Sequence, residues 1–185
     1  MQKATFAGGC FWCMEPVFIN IDGVLNVVVG YTGGSIKNPT YEEVSAGTTG
    51  HVEAIQIEFD ETKVSFDRLL HLFFFNIDPT DPQGQFVDKG SQYQTAVFYH
   101  HQKQKNEALD LIEELKKTRG FSKIATKILP FDHFYPAEEY HQQFFKKDPG
   151  HYESYKKGSG REGRLHHLWG PKEGCGPLGN GSCGK

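Results

Sequence analysis

The chain is poor in what would mark a nucleic-acid binder, a membrane protein or a disulfide-built scaffold. Lys and Arg number 20 against 23 Asp and Glu, a formal net charge of −3. No stretch concentrates the cations, so a phosphate backbone finds no basic face to dock on. Uninterrupted apolar runs are short: none has signal-peptide length and none approaches the roughly 20 residues of a membrane-spanning helix. No repeat of solenoid length is present. Cysteine occurs at only four positions in 185 residues. A chain of that size buries a core without disulfide staples, which leaves the thiols free for chemistry. The expectation is a cytoplasmic monomer with reduced cysteines and neither nucleic acid nor membrane as partner.

Apolar alternation and continuous apolar runs predict strands at 3–7, 24–31, 52–59, 93–99 and 125–129. Helical spacing predicts helices at 10–20, after Ser65 through Leu69, Leu70, Leu72 and Phe73, at 101–118 with Gly120 as the stop, and at 137–145. Strands separated by helices point to a two-layer α/β or α+β domain. Glycine becomes dense past Gly158, and 170–185 cannot bury much apolar surface, so it reads as coil. The expected division is a catalytic domain at 1–157 and a Gly-rich tail at 158–185 that carries Cys175 and Cys183.

Gly8-Gly9-Cys10-Phe11-Trp12-Cys13 places a thiol where a glycine turn opens a helix. Free first-turn amides and the positive end of the helix dipole favour an anion there, so Cys10 is expected to have a lowered pKa and to act as a nucleophile. Phe11 and Trp12 beside it offer an apolar wall for a small uncharged substrate. Along 52–59, Glu53 shares a face with Ile55, Ile57 and Phe59. A carboxyl buried there without a cation holds its proton at neutral pH and can donate it; an exposed strand end or an ion pair with Lys or Arg are the alternatives. Tyr41 and Tyr93 lie beside turn-rich segments, where phenols either donate to a developing oxyanion or simply cap the packing.

The cysteines admit three readings. In one, a tail cysteine attacks an oxidised Cys10, since a long loop closes at modest entropic cost. The second is a structural zinc site of four thiolates, with an unusually wide gap between Cys175 and Cys183. The third is a thioredoxin-like C-x-x-C enzyme, which leaves the tail thiols without a role. The nine histidines are scattered or adjacent in sequence and do not point to a metal site.

Five separated motifs agree on a family. They are Gly9-Cys10-Phe11-Trp12, Gly30-Tyr31-Thr32-Gly33-Gly34, Asn38-Pro39-Thr40-Tyr41, Gly50-His51-Val52-Glu53-Ala54 and Asp88-Lys89-Gly90-Ser91-Gln92-Tyr93. In that order they strongly resemble the type A peptide methionine sulfoxide reductases. The resemblance implies an α+β two-layer sandwich of the ferredoxin-like plait type, with the nucleophile at the start of the first helix. It implies that Cys10 attacks the sulfoxide sulfur, Glu53 protonates the oxygen, Tyr41 and Tyr93 hold it, Phe11 and Trp12 hold the methyl group and Asp88 organises the polar side. The substrate would be methionine S-sulfoxide, free or in peptides and proteins, so the role would be repair after oxidative stress. Cys10 would be left as a sulfenic acid, resolved by Cys175, with Cys183 passing the disulfide to thioredoxin. No cofactor and no metal is implied. Cys13 stands where the family often has glycine, and is a second candidate resolving thiol.

Overall fold

The structure, a computed structural model, describes residues 1–170. In chain order these form β1 (Gln2–Gly8), α1 (Phe11–Phe18), β2 (Val24–Thr32), α2 (Tyr41–Ser45), β3 (Val52–Phe59), α3 (Phe66–Phe74), β4 (Gly84–Gln85), β5 (Asp88–Lys89), β6 (Thr95–Tyr99), α4 (Gln102–Arg119), β7 (Lys127–Pro130), β8 (Phe134–Pro136), α5 (Phe144–Lys147), α6 (Pro149–Gly158) and α7 (Arg161–Trp169). Turns of 3₁₀ helix occupy Ser91–Tyr93 and Glu139–His141. The result is a mixed α/β architecture around a curled six-stranded sheet.

Strand order in that sheet is β7-β6-β1-β3-β2-β8. Neighbours run antiparallel except β6 and β7, which are parallel. Alternation along each strand sorts its residues between two unequal faces. Ala4, Phe6, Val29, Ile55, Ile57 and Val97 face the main core, with Met14 and Phe18 of α1, Leu69, Leu70 and Phe73 of α3, and Leu111 and Leu115 of α4. The other face carries a small cluster of Ala7, Ala54, Ala96 and Phe98 under Phe131 and Phe134. The Phe6 ring stacks on Phe73 with centroids 4.8 Å apart. Phe6→Ala is therefore expected to cost about 3–5 kcal/mol, read as a lower urea midpoint at unchanged m-value; a loss under about 1 kcal/mol would contradict this packing.

Helix ends follow the expected chemistry at two places. The Ser65 hydroxyl accepts from the Arg68 amide at 3.1 Å to cap α3, and Gly120 closes α4 at φ 68°. The C-terminal third departs from expectation. A helix over 137–145 does not form, because the segment's polar groups are taken by neighbours. Gln142 exchanges two hydrogen bonds with the Val29 backbone, at 3.0 and 2.9 Å. The Gln143 amide donates to both Glu15 carboxylate oxygens, which fixes Gln143 at φ 52°. Past the expected boundary at 157/158, Gly160, at φ 71°, turns the chain between α6 and α7. In α7, Leu165 is buried, and Trp169 packs edge-on against Phe75 and donates to the Ile77 carbonyl at 3.1 Å. No helix among the described residues is long and apolar enough to cross a membrane.

Candidate active site

Gly9 turns β1 into α1 at φ 77°, and a Cβ there would lie 2.6 Å from Cβ of Gln85. Only glycine fits both the left-handed backbone and this approach. The turn leaves Cys10 at the N-cap of α1, without a side-chain capping bond, and 7% exposed. The first-turn amide does not meet the thiol. Phe11 N–H donates to Oε2 of Glu53 at 3.0 Å. The expected lowering of the Cys10 pKa is accordingly reversed: burial pushes the thiol well above its ordinary value, and its hydrogen bond to Cys13 and the Glu53 charge add to the rise.

Glu53 sits on β3 at 3% exposure, on the face shared with Ile55, Ile57 and Phe59. Among the described residues it makes no ion pair, and burial raises its carboxyl to about 8 in spite of the Phe11 hydrogen bond. Cys13, 6% exposed, moves the other way, to about 7, because Cys10 hydrogen-bonds to its sulfur and the Arg161 and Lys156 charges lie nearby. Of the two thiols Cys13 is therefore the more acidic and Cys10 the one that holds its proton more firmly.

Phenols and a carboxyl complete the surroundings. A capping box between Thr40 and Glu43 starts α2, and the Tyr41 amide donates to Oε1 of Glu138 at 2.9 Å. His51 holds the preceding loop: its Nδ1 accepts from the Gly34 amide at 3.1 Å and its Nε2–H donates to the Ile36 carbonyl at 2.7 Å. Burial, with the Glu53 and Cys10 charges, raises Tyr41 to about 12. Burial raises Tyr93 as well, with the Glu53 charge adding to it. Both phenols keep their protons and remain donors. Burial raises the Asp88 carboxyl too, which accepts from the Tyr155 hydroxyl.

Phe11 is almost fully buried against Tyr31 and His141. Trp12 is half-buried, stacks on Phe144 at 3.9 Å, and donates from Nε1 to Nδ1 of His141 at 3.0 Å. Cys10, Glu53, Tyr41, Tyr93, Asp88, Cys13, Phe11 and Trp12 are thus brought together. Cys175 and Cys183 lie outside the described residues.

The sequence reading missed three participants. Tyr155 of α6 bonds to Asp88, lies edge-on to Trp12 and reaches Cys10. His141 fixes the Trp12 indole, and Arg161 supplies the charge near Cys13. A signal for α6 exists in Asp148-Pro149, an N-cap followed by proline at the first helical position. Among the described residues no group of three or more His, Cys, Asp or Glu is arranged to hold a metal ion. The chemistry on offer is a thiol nucleophile next to a carboxylic acid that keeps its proton to about pH 8, ringed by phenolic donors.

The profile of the family described as peptide methionine sulfoxide reductase matches residues 2–173. Peptide methionine sulfoxide reductase MsrA of Bacillus licheniformis is 54% identical over 176 residues, covering 92% of this chain and 95% of the relative. Among solved structures, Mxr1 from Saccharomyces cerevisiae in reduced form superposes with a TM-score of 0.76 at 33% identity, covering 80% of this chain and 86% of that one. Mxr1 in complex with Trx2 superposes with a TM-score of 0.52 at 26% identity, covering 77% and 84%.

Proposed function

Because the chain belongs to the type A peptide methionine sulfoxide reductases, a family of oxidoreductases, we propose that it moves the oxygen of methionine S-sulfoxide, free or in peptides and proteins, onto Cys10. The observation that carries this reading is the protonated, buried Glu53 bonded to the amide that follows Cys10. A sulfoxide oxygen leaves sulfur only once it is protonated, and a carboxyl titrating near 8 is an acid at neutral pH. Tyr41 and Tyr93 donate to the oxygen and favour charge developing on it.

Once Glu53 has given up its proton it becomes the base that takes the Cys10 proton. One carboxyl thereby activates the electrophile and the nucleophile in turn, and a resting thiol with a raised pKa is no obstacle. Thiol and sulfoxide become sulfenic acid and thioether: Cys10 sulfur loses two electrons and the substrate sulfur gains them. Phe11 and Trp12 give the methyl group an apolar wall, and Asp88 with Tyr155 organises the polar side.

A second thiol then clears the sulfenic acid. Cys13 is three residues away, buried beside Cys10 and the more acidic of the two, and C-x-x-C at a helix start is an established disulfide spacing. We assign it the first resolving step, with Cys175 and Cys183 downstream and thioredoxin as the final reductant, in line with the Mxr1–Trx2 relative. Free thiols at Cys10 and Cys13 fit a reducing cytoplasm. Exposed large hydrophobics such as Leu25, Leu109 and Leu129 sit on separate elements, which fits a monomer. We further read β6-β1-β3-β2, in the chain order β1-α1-β2-β3-α3-β6, as a ferredoxin-like plait, with α2 and the β4–β5 hairpin as insertions and the Gly-rich segment after α7 as the redox tail.

The test is reduction of the separated S and R epimers of a methionine sulfoxide peptide with thioredoxin, its reductase and NADPH. Turnover of the S epimer alone is expected. Turnover of the R epimer, or of neither even with a small dithiol, would overturn the proposal.

A further inference from the structure

A cavity of about 470 Å³ lies between α1, α6 and α7, bordered among the described residues by Cys13, Val17, Tyr152, Arg161, Leu165 and Gly170 but not by Cys10. On the Cys10 side, the Phe11 amide that follows it bonds to Glu53. Of the two thiols of the C-x-x-C pair, Cys13 alone borders this cavity.

Arg161 marks the cavity as a place for an anion. It is 5% exposed, and its guanidinium donates to the carbonyls of Asn76 at 2.6 Å and Gly8 at 3.4 Å and lies 4.4 Å from the Phe86 ring centroid. Among the described residues it makes no carboxylate ion pair, and a buried cation without a counter-ion stabilises an anion placed beside it. Thiolates at this cavity are therefore favoured, both that of Cys13 and that of any thiol that enters.

Resting on the reading in which Cys10 becomes a sulfenic acid, we infer that this cavity receives the segment 171–185 and that Cys175 attacks the sulfur of Cys13 rather than that of Cys10. The described chain ends at Gly170, on the cavity's border. Cys175 follows five residues later, a contour of at most roughly 17 Å, while a sphere of the cavity's volume is roughly 10 Å across. Gly174 and Gly176 flank Cys175 and allow close backbone approach. Pro171, Pro177 and Leu178 of the segment match the apolar lining given by Pro16, Val17, Tyr152 and Leu165.

The steps balance without a further reactant. The Cys13 thiolate displaces hydroxide from the Cys10 sulfenic acid, forming Cys10–Cys13 and, with a proton, water. The Cys175 thiolate attacks Cys13 sulfur, and Cys10 leaves and takes a proton. The Cys183 thiolate then attacks Cys175 sulfur and frees Cys13, leaving Cys175–Cys183 for the external dithiol. At equal access, exchange expels the more acidic thiol, which would direct attack to Cys10. Access is unequal here, and it decides for Cys13.

Cys183→Ser in the full-length chain stops the relay one step before its end. The reduced variant is treated with one equivalent of methionine S-sulfoxide, the methionine released is measured, and the protein is quenched with a thiol alkylator and mapped by peptide mass spectrometry. A Cys13–Cys175 disulfide with Cys10 alkylated is expected, and Cys10–Cys13 in Cys175→Ser. A Cys10–Cys175 bond with Cys13 alkylated, or no disulfide to Cys175, overturns the inference. Methionine released together with either of those maps overturns the inference alone; no methionine released overturns it together with the reductase reading on which it rests.

Discussion

Cys10→Ser is expected to lower methionine formation by at least ~10⁴-fold while leaving the fold in place. The two halves of this expectation have separate causes. Serine is a preferred N-cap residue, and Cys10 makes no capping bond that could be lost, so unfolding free energy should stay within about 1 kcal/mol of wild type. The chemistry cannot survive, because a hydroxyl is far less acidic and less nucleophilic toward sulfur than a thiol. Cys13 does not stand in for it, since it borders the cavity between α1, α6 and α7. Single turnover with one equivalent of the S-sulfoxide, paired with urea unfolding, measures both. Methionine formation above roughly a hundredth of wild type would move the nucleophile to Cys13.

What could be read from residues alone divides along the distance over which each property is set. Glu53 was legible because alternation along β3 is a two-residue rule: one register places Glu53 with Ile55, Ile57 and Phe59, and all four are buried. The turn at Gly9 and the caps at Ser65 and Gly120 were legible for the same local reason. The ionisation of Cys10 was not. It depends first on burial and then on Cys13 and on the charge of Glu53, a residue 42 positions beyond Phe11 on another strand.

The region after residue 136 was illegible for a related reason. Its periodicity suggests one helix, but Gln142 and Gln143 bond to β2 and α1 instead of to their own turn. Glu15, fully buried and raised to about 7 by burial, takes the Gln143 amide with both oxygens. That bond orients the segment in which His141 holds the Trp12 indole. Tyr155 belongs to the site only because α6 packs back over α1, a tertiary fact that no pattern within α6 announces.

Glu53→Gln should change rate and stability in opposite directions. The amide keeps the shape and still accepts from the Phe11 N–H, but has no proton to give, so methionine formation in single turnover should fall about 10²- to 10⁴-fold. In wild type that step should decline about tenfold per pH unit above pH 8, as the carboxyl loses its proton; in the variant this limb should vanish. Stability runs the other way. The folded-state value of about 8 stands above the ordinary 4.5, so between these pH values the native state binds a proton that the unfolded chain does not. Wild-type stability therefore falls as pH rises through that window and remains low above it, by roughly 5 kcal/mol at the ceiling. The variant's amide carries no such charge, so at pH 8 to 9 the variant should unfold at higher urea than wild type. A structural carboxylate would lose stability on this substitution; an acid held in an apolar site should lose rate and gain stability. Wild-type single-turnover rates in the variant, or a lower urea midpoint at pH 9, would remove Glu53 from that role.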